Sequence, residues 1–160
     1  MKVFETIQRK PLKLLDPRFE EKIRNSFEFQ GFRLLGGELK EIRLGYVEAH
    51  LPYSELVRQQ HGLFHGGMVA TAADSASGYA TYTVLGPDEE CVSAEFKINF
   101  LQPARGSKLI ARGGVIKVGR TLVIAESTVS VVRDGEEIEC AIMLHTLARV
   151  KHLQSGANKS

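Results

Sequence analysis

The chain has 160 residues, 43% of them apolar, and a net charge of +2. That length suits one domain with a substantial core, and the composition excludes disorder. So small a charge, with no dense Lys/Arg run and no zinc-ligand spacing, gives no reason to expect nucleic acid or a metal as partner.

The opening segment, MKVFETIQRKPLKLLDPRFEE, mixes charges and apolar residues. It lacks the apolar stretch of a signal peptide. No run of about 18 uncharged apolar residues exists to span a membrane. Asp16-Pro17 reads as a helix start, an N-cap followed by Pro at the first helical position. Phe19, Ile23 and Phe27 then give that helix an apolar face. Gly36-Gly37 ends the pattern. Residues 38–44 and 46–52 read as strands joined at Gly45, and residues 53–64 as a polar loop. A second helix is expected over 65–83, HGGMVATAADSASGYATYT. Small residues on every face suit a helix packed on all sides rather than one lying on a surface. After Gly86-Pro87 come four β-rich segments, 91–101, 107–118, 121–133 and 136–150. Gly119-Arg120 and Asp134-Gly135 are turn signals between them, so the sheet is antiparallel. The layout is α+β: one central helix against a large sheet. Residues 1–26 read as an N-terminal extension with a helix, 27–150 as the domain, and 151–160 as a polar tail. Cys91 and Cys140 are too few for a disulfide framework and are expected as reduced core thiols. A cytoplasmic setting follows.

The chemistry concentrates between Gln59 and Asp74. Gly66 and Gly67 begin the central helix, whose N-terminus offers unpaired N–H groups and partial positive charge. That geometry suits an oxyanion developing on a carbonyl. A tight turn explains His-Gly-Gly equally well. Asp74 is the only carboxylate on the helix, with no Lys or Arg beside it. Among small apolar residues it should be desolvated, which raises its pKa. Gly66 and Asp74 are eight positions apart, about 12 Å along one helix. One small carbonyl cannot touch both, so the pair is expected to come from different chains of a dimer.

Ser93 is a candidate for holding water, Gln59 for donating to a carbonyl, and His65 for a base or a structural hydrogen bond. His61 and His145 are expected to be uninvolved. Between Glu95 and Glu126 the chain carries Lys97, Arg105, Lys108, Arg112, Lys117 and Arg120 with no acid among them. This reads as a solvated face or as a patch for a phosphate-rich ligand.

HGGMVATAADSASGYAT resembles the central-helix motif of hot-dog-fold thioesterases of the phenylacetyl-CoA thioesterase (PaaI-like) family. CVSAEFKINFLQPARG, the VGRT turn and the VVRDGEEI hairpin are similar to that family's following strands. The resemblance covers residues 27–150. It implies a helix wrapped by an antiparallel sheet, dimers with joined sheets, and dimers of dimers. It also implies hydrolysis of a small aryl- or acyl-CoA without metal or redox cofactor. By position, Asp74 matches the catalytic carboxylate and Gly66 the backbone donor, with His65 before it and Gly67 after it at the substrate. Gln59 matches an assisting amide and Ser93 a water-placing hydroxyl. Gly78 departs from members with a hydroxyl there. Arg120, Arg105 and Lys108 are the expected contacts to coenzyme A phosphates. A hot-dog hydratase fits poorly, because its Asp/His pair would have only His65 to use. An α/β-hydrolase is excluded by the lack of G-x-S-x-G. A non-catalytic acyl-CoA-binding module on the same fold remains the alternative.

Overall fold

A computed structural model describes residues 11–151. Expectations for residues 1–10 and for the tail from 152 onward lie outside the described residues. The elements run α1 (Phe19–Phe27), α2 (Gly31–Leu34), β1 (Glu38–Arg43), β2 (Tyr46–Pro52), α3 (Gly66–Tyr82), β3 (Glu89–Phe100), β4 (Lys108–Val118), β5 (Leu122–Arg133) and β6 (Glu136–Lys151). The six strands form one antiparallel sheet in the order β1-β2-β4-β5-β6-β3. The sheet wraps α3, which gives the expected α+β hot-dog arrangement. Among the described residues no helix is long and apolar enough to cross a membrane.

The small residues of α3 explain its position. Ala72, Ala73, Ala76 and Ala80 are fully buried, and their size lets strand backbones come close. At Gly113 of β4 the approach is tightest: a Cβ there would collide with the Ala76 carbonyl group and the Ser77 nitrogen. Ser127 of β5 donates to the Ala73 carbonyl at 2.7 Å, tying sheet to helix. Tight turns set the register. Asp134 and Gly135 both have positive φ, as the two-residue hairpin between β5 and β6 requires.

Two details differ from the sequence expectation. The first helix starts at Phe19 with Arg18 as its N-cap residue. Asp16 instead accepts the Arg18 N–H at 2.9 Å and closes the turn before the helix. The short α2 has no sequence periodicity long enough to reveal it. Ile23 and Phe27 of α1 are buried, and Phe27 meets Tyr79 of α3 edge-on at 5.8 Å. Cys91 and Cys140 are free thiols.

The two sheet edges differ. β1 is short and carries Glu38, Lys40, Glu41 and Arg43, the charge pattern of a protected edge. β3 is 12 residues long, and Val92, Phe96 and Phe100 on it are all more than 40% exposed.

Gly113→Ala is expected to destabilise the protein by about 3 kcal/mol, the upper range for overpacking against backbone. A melting curve should show Tm lowered by about 5–10 °C; an unchanged Tm would contradict the close approach.

Candidate active site

Asp74 projects from the middle of α3 toward β3. The Ser93 hydroxyl donates to its Oδ1 at 2.8 Å, and His145 Nε2 lies 3.5 Å from the same oxygen. Among the described residues Oδ2 has no hydrogen bond. The side chain is 40% exposed, so one chain alone does not give the burial expected for it.

His145, expected to be uninvolved, is fully buried on β6. Its Nδ1 is 2.8 Å from Ser77 Oγ, and the Phe96 ring stands edge-on to it at 5.7 Å. Burial lowers the imidazole pKa, and the charges of Asp74 and Glu95 oppose this without overcoming it. The ring is therefore neutral at pH 7, and its approach to Asp74 is not a salt bridge. Its Nε2 makes no hydrogen bond. The overlooked signal was strand parity. Ala141, Met143 and Leu147 are buried on the same face of β6, so a histidine at 145 had to be an interior one.

A β-bulge aligns this group. Ser93 pairs with Leu147 and Glu95 with Thr146, which leaves Ala94 as the extra residue. Before the bulge Ser93 faces α3; after it Phe96 and Phe100 do. The strand thus reaches Asp74 at one end and the start of α3 at the other. A Cβ on Gly66 would sit 3.4 Å from the Phe100 ring.

The N-terminus of α3 is the second group. His65 is the N-cap, in extended conformation, and its Nδ1 accepts the Gly67 N–H at 2.9 Å. His65 is thus a structural cap, and the Gly67 amide expected at the substrate is already engaged. The Gly66 N–H makes no hydrogen bond among the described residues, as a first-turn amide is left to do. Gln59 lies in the preceding loop, where its Oε1 accepts the His61 N–H at 2.6 Å. A cavity of about 370 Å³ beside this group is lined by Gly66, Phe64, Phe100 and Pro103. A second, of about 140 Å³, opens at Asp74 and Ser93.

The basic residues separate. Arg105 and Lys108 lie near the Phe64 end of the molecule, where Phe64 N donates to Ala104 O. Arg120 lies in the β4–β5 turn, beside Arg149 and Glu89 at the start of β3. Arg112 is not part of a free patch. It donates to Glu48 at 2.9 Å and to Glu137 at 2.6 Å on the outer sheet face. Against the effect of burial, the His50 hydrogen bond and then Arg112 hold the Glu48 carboxyl below its usual range, and Arg112 does the same for Glu137.

Known proteins share this fold. The thioesterase superfamily profile matches residues 61–139. A putative esterase of Saccharolobus solfataricus is 33% identical over 115 residues, 72% of this chain and 74% of its own length. The crystal structure of a thioesterase family protein from Silicibacter pomeroyi aligns with a TM-score of 0.81 at 40% identity, covering 83% of this chain and 98% of that one. The E. coli PaaI protein from the phenylacetic acid degradation operon shares the fold, with a TM-score of 0.75 at 18% identity over 86% of this chain and 97% of its own. Sequence identity sustained over most of both chains, with the same helix and sheet, makes this chain a member of the thioesterase superfamily, a thioester hydrolase of the hot-dog fold.

Proposed function

We propose that the chain hydrolyses the thioester of a small acyl- or aryl-CoA with Asp74 as the catalytic carboxylate. The observation that carries this reading is the one-sided support of Asp74. Ser93 holds Oδ1, and Oδ2 is left to face a cavity. A carboxylate so held can take a proton from water or attack the carbonyl carbon itself. The neutral imidazole of His145, 3.5 Å from Asp74 Oδ1, borders the carboxylate without adding a charge that would neutralise it.

The carbonyl also needs a donor, and within one chain Gly66 is about 12 Å along the helix from Asp74. Edge pairing of β3 with a second β3 answers this. In a two-fold antiparallel pair, the Phe100 end of one strand lies beside the Ser93 end of the other. The partner subunit's Gly66, packed on its own Phe100, then approaches Asp74. The same rotation brings Arg120 of one chain toward the partner's Arg105 and Lys108, where coenzyme A phosphates would be met. The long apolar β3 edge supports this dimer, and a dimer of dimers is its extension. Free thiols suit a reducing compartment such as the cytoplasm. A binding module on the same fold would have no use for Asp74.

Asp74→Asn should lower kcat by about 10²-fold or more, the scale of general-base catalysis. Thiol release from a panel of acyl-CoA substrates measures it; wild-type turnover by the folded variant would remove Asp74 from the mechanism.

Gly66→Pro removes the N–H at a helix position that suits proline, and the extended His65 before it is compatible. Gly66→Pro and Asp74→Asn chains should each be inactive alone. Refolded as a mixture, they should recover about a quarter of wild-type activity, because about half the pairs are mixed and each holds one intact site. No recovery from verified mixed dimers would mean that the two groups do not share a site.

His145 has a pH signature. Below the ordinary histidine pKa of about 6.5, the unfolded chain binds a proton that the folded chain resists. Stability is full above that value and falls as pH drops toward the lowered folded pKa. His145→Gln should lose less Tm than wild type between about pH 7 and pH 5. Parallel curves for the two proteins would assign the slope to other groups.

A further inference from the structure

His145 stands beside Asp74 with its ring wholly out of solvent. Two contacts hold the ring. Nδ1 lies 2.8 Å from Ser77 Oγ, and Phe96 meets the imidazole edge-on at 5.7 Å. The Ser77 hydroxyl has acceptors of its own on α3, Ala73 O at 2.8 Å and Asp74 O at 3.3 Å. A helical serine places its one proton in this way. The oxygen of Ser77 then accepts from Nδ1, which carries the imidazole proton. A neutral imidazole has only one N–H. Nε2 is therefore a bare acceptor, and it has no hydrogen-bond partner among the described residues.

That nitrogen lies 3.5 Å from Asp74 Oδ1. The hydrogen bonds on either side, Ser93 to Asp74 and Ser77 to His145, are both 2.8 Å. Two acceptors with no proton between them keep the longer distance, and one proton would turn the contact into a hydrogen bond. The surroundings keep the ring neutral. Burial outweighs the charges of Asp74 on α3 and Glu95 on β3. Glu95 accepts the Thr146 hydroxyl. Cys91, also on β3, is a neutral thiol that burial pushes up to about 12. From β5 the ring meets Ala125, which carries no charge.

We propose that His145 is a positioning residue for the transferred proton: its bare Nε2 accepts a hydrogen bond from Asp74 Oδ1 once Asp74 has taken a proton from water. This rests on the reading of Asp74 as the catalytic carboxylate and selects its general-base route. The water oxygen bonds to the carbonyl carbon as one of its O–H bonds breaks and leaves the electron pair on oxygen. Ser93 is the path for the proton, because it already donates to Oδ1 and lines the cavity with Asp74. Its own proton moves to Oδ1 while Oγ takes the one from water. Oδ1–H then donates to Nε2, and the imidazole stays neutral throughout. When the C–S bond breaks, its electron pair goes to sulfur, which takes the proton from Asp74 and leaves as the thiol. The hydrogen bond to Nε2 forms only with proton transfer, so it lowers the barrier without tightening substrate binding.

The test follows kcat and KM against pH for the acyl-CoA that the wild-type protein hydrolyses fastest. His145→Leu removes the acceptor. Ser77→Ala removes only the partner of Nδ1, which frees the imidazole to put its proton on Nε2, where it no longer accepts. Each variant should lower kcat about tenfold, the scale of one net hydrogen bond, and leave KM unchanged. Each should also move the acid limb of kcat to lower pH, because protonated Asp74 has lost its acceptor. Ser77→Ala is the smaller change and serves if His145→Leu does not fold. Nitrogen NMR of the wild-type protein at neutral pH should find the His145 proton on Nδ1 and none on Nε2. A proton on Nε2 would overturn the inference. So would an acid limb that stays in place in the folded variants, whatever happens to kcat. Asp74→Asn is measured alongside. Turnover lost there, with a wild-type profile in Ser77→Ala, would remove His145 and leave Asp74 as the base. Wild-type turnover by Asp74→Asn would remove Asp74, and the role of His145 with it.

Discussion

The contact between Ala76 of α3 and Gly113 of β4 sets the geometry of the rest. It brings a helix backbone against a strand backbone with no side chain between them. Only residues as small as Ala, Gly and Ser allow this, and α3 is made largely of them. With the helix held so close, a six-stranded sheet can curve around it. The face carrying Asp74, Gly78 and Tyr82 is then turned toward the N-terminal half of β3 and the α1–α2 connection. The face proposed as catalytic is thus the side of the helix that meets β3, the edge strand of the sheet.

Polar groups around Asp74 follow from the same packing. Burial keeps His145 neutral, so the carboxylate gains an oriented neighbour without a salt bridge that would quench it. The strongest charge cluster lies elsewhere. Arg112 with Glu48 and Glu137 forms a satisfied network on the outer sheet face, far more constrained than an isolated surface pair. The compensated charges of this cluster thus lie away from Asp74, the carboxylate proposed to react.

Much of this was legible in the sequence, for physical reasons that differ by region. Helix composition revealed α3, because an alanine-rich segment with one acid has few alternatives to full burial. The hairpin between β5 and β6 was legible from Asp134-Gly135, since positive φ at both positions restricts residue choice. The start of α1 was misplaced by two residues because Asp16 serves equally well in a turn or as a cap. Arg112 was read with the basic patch because its acidic partners are far away in sequence, on β2 and β6. His145 needed the phase of its strand, which only the surrounding buried residues define.

The extra residue at Ala94 makes β3 behave like a text with a reading frame. Up to Ser93 the odd positions are read inward; beyond it the even ones are. Ser93 and Phe100 can meet the same helix only because one residue was inserted between them. The information that joins the two ends of the site is therefore a count and not a side chain. A sequence that changes nearly every residue of this strand but keeps the count keeps the strand's alignment, whereas losing a single position would turn half the strand inside out.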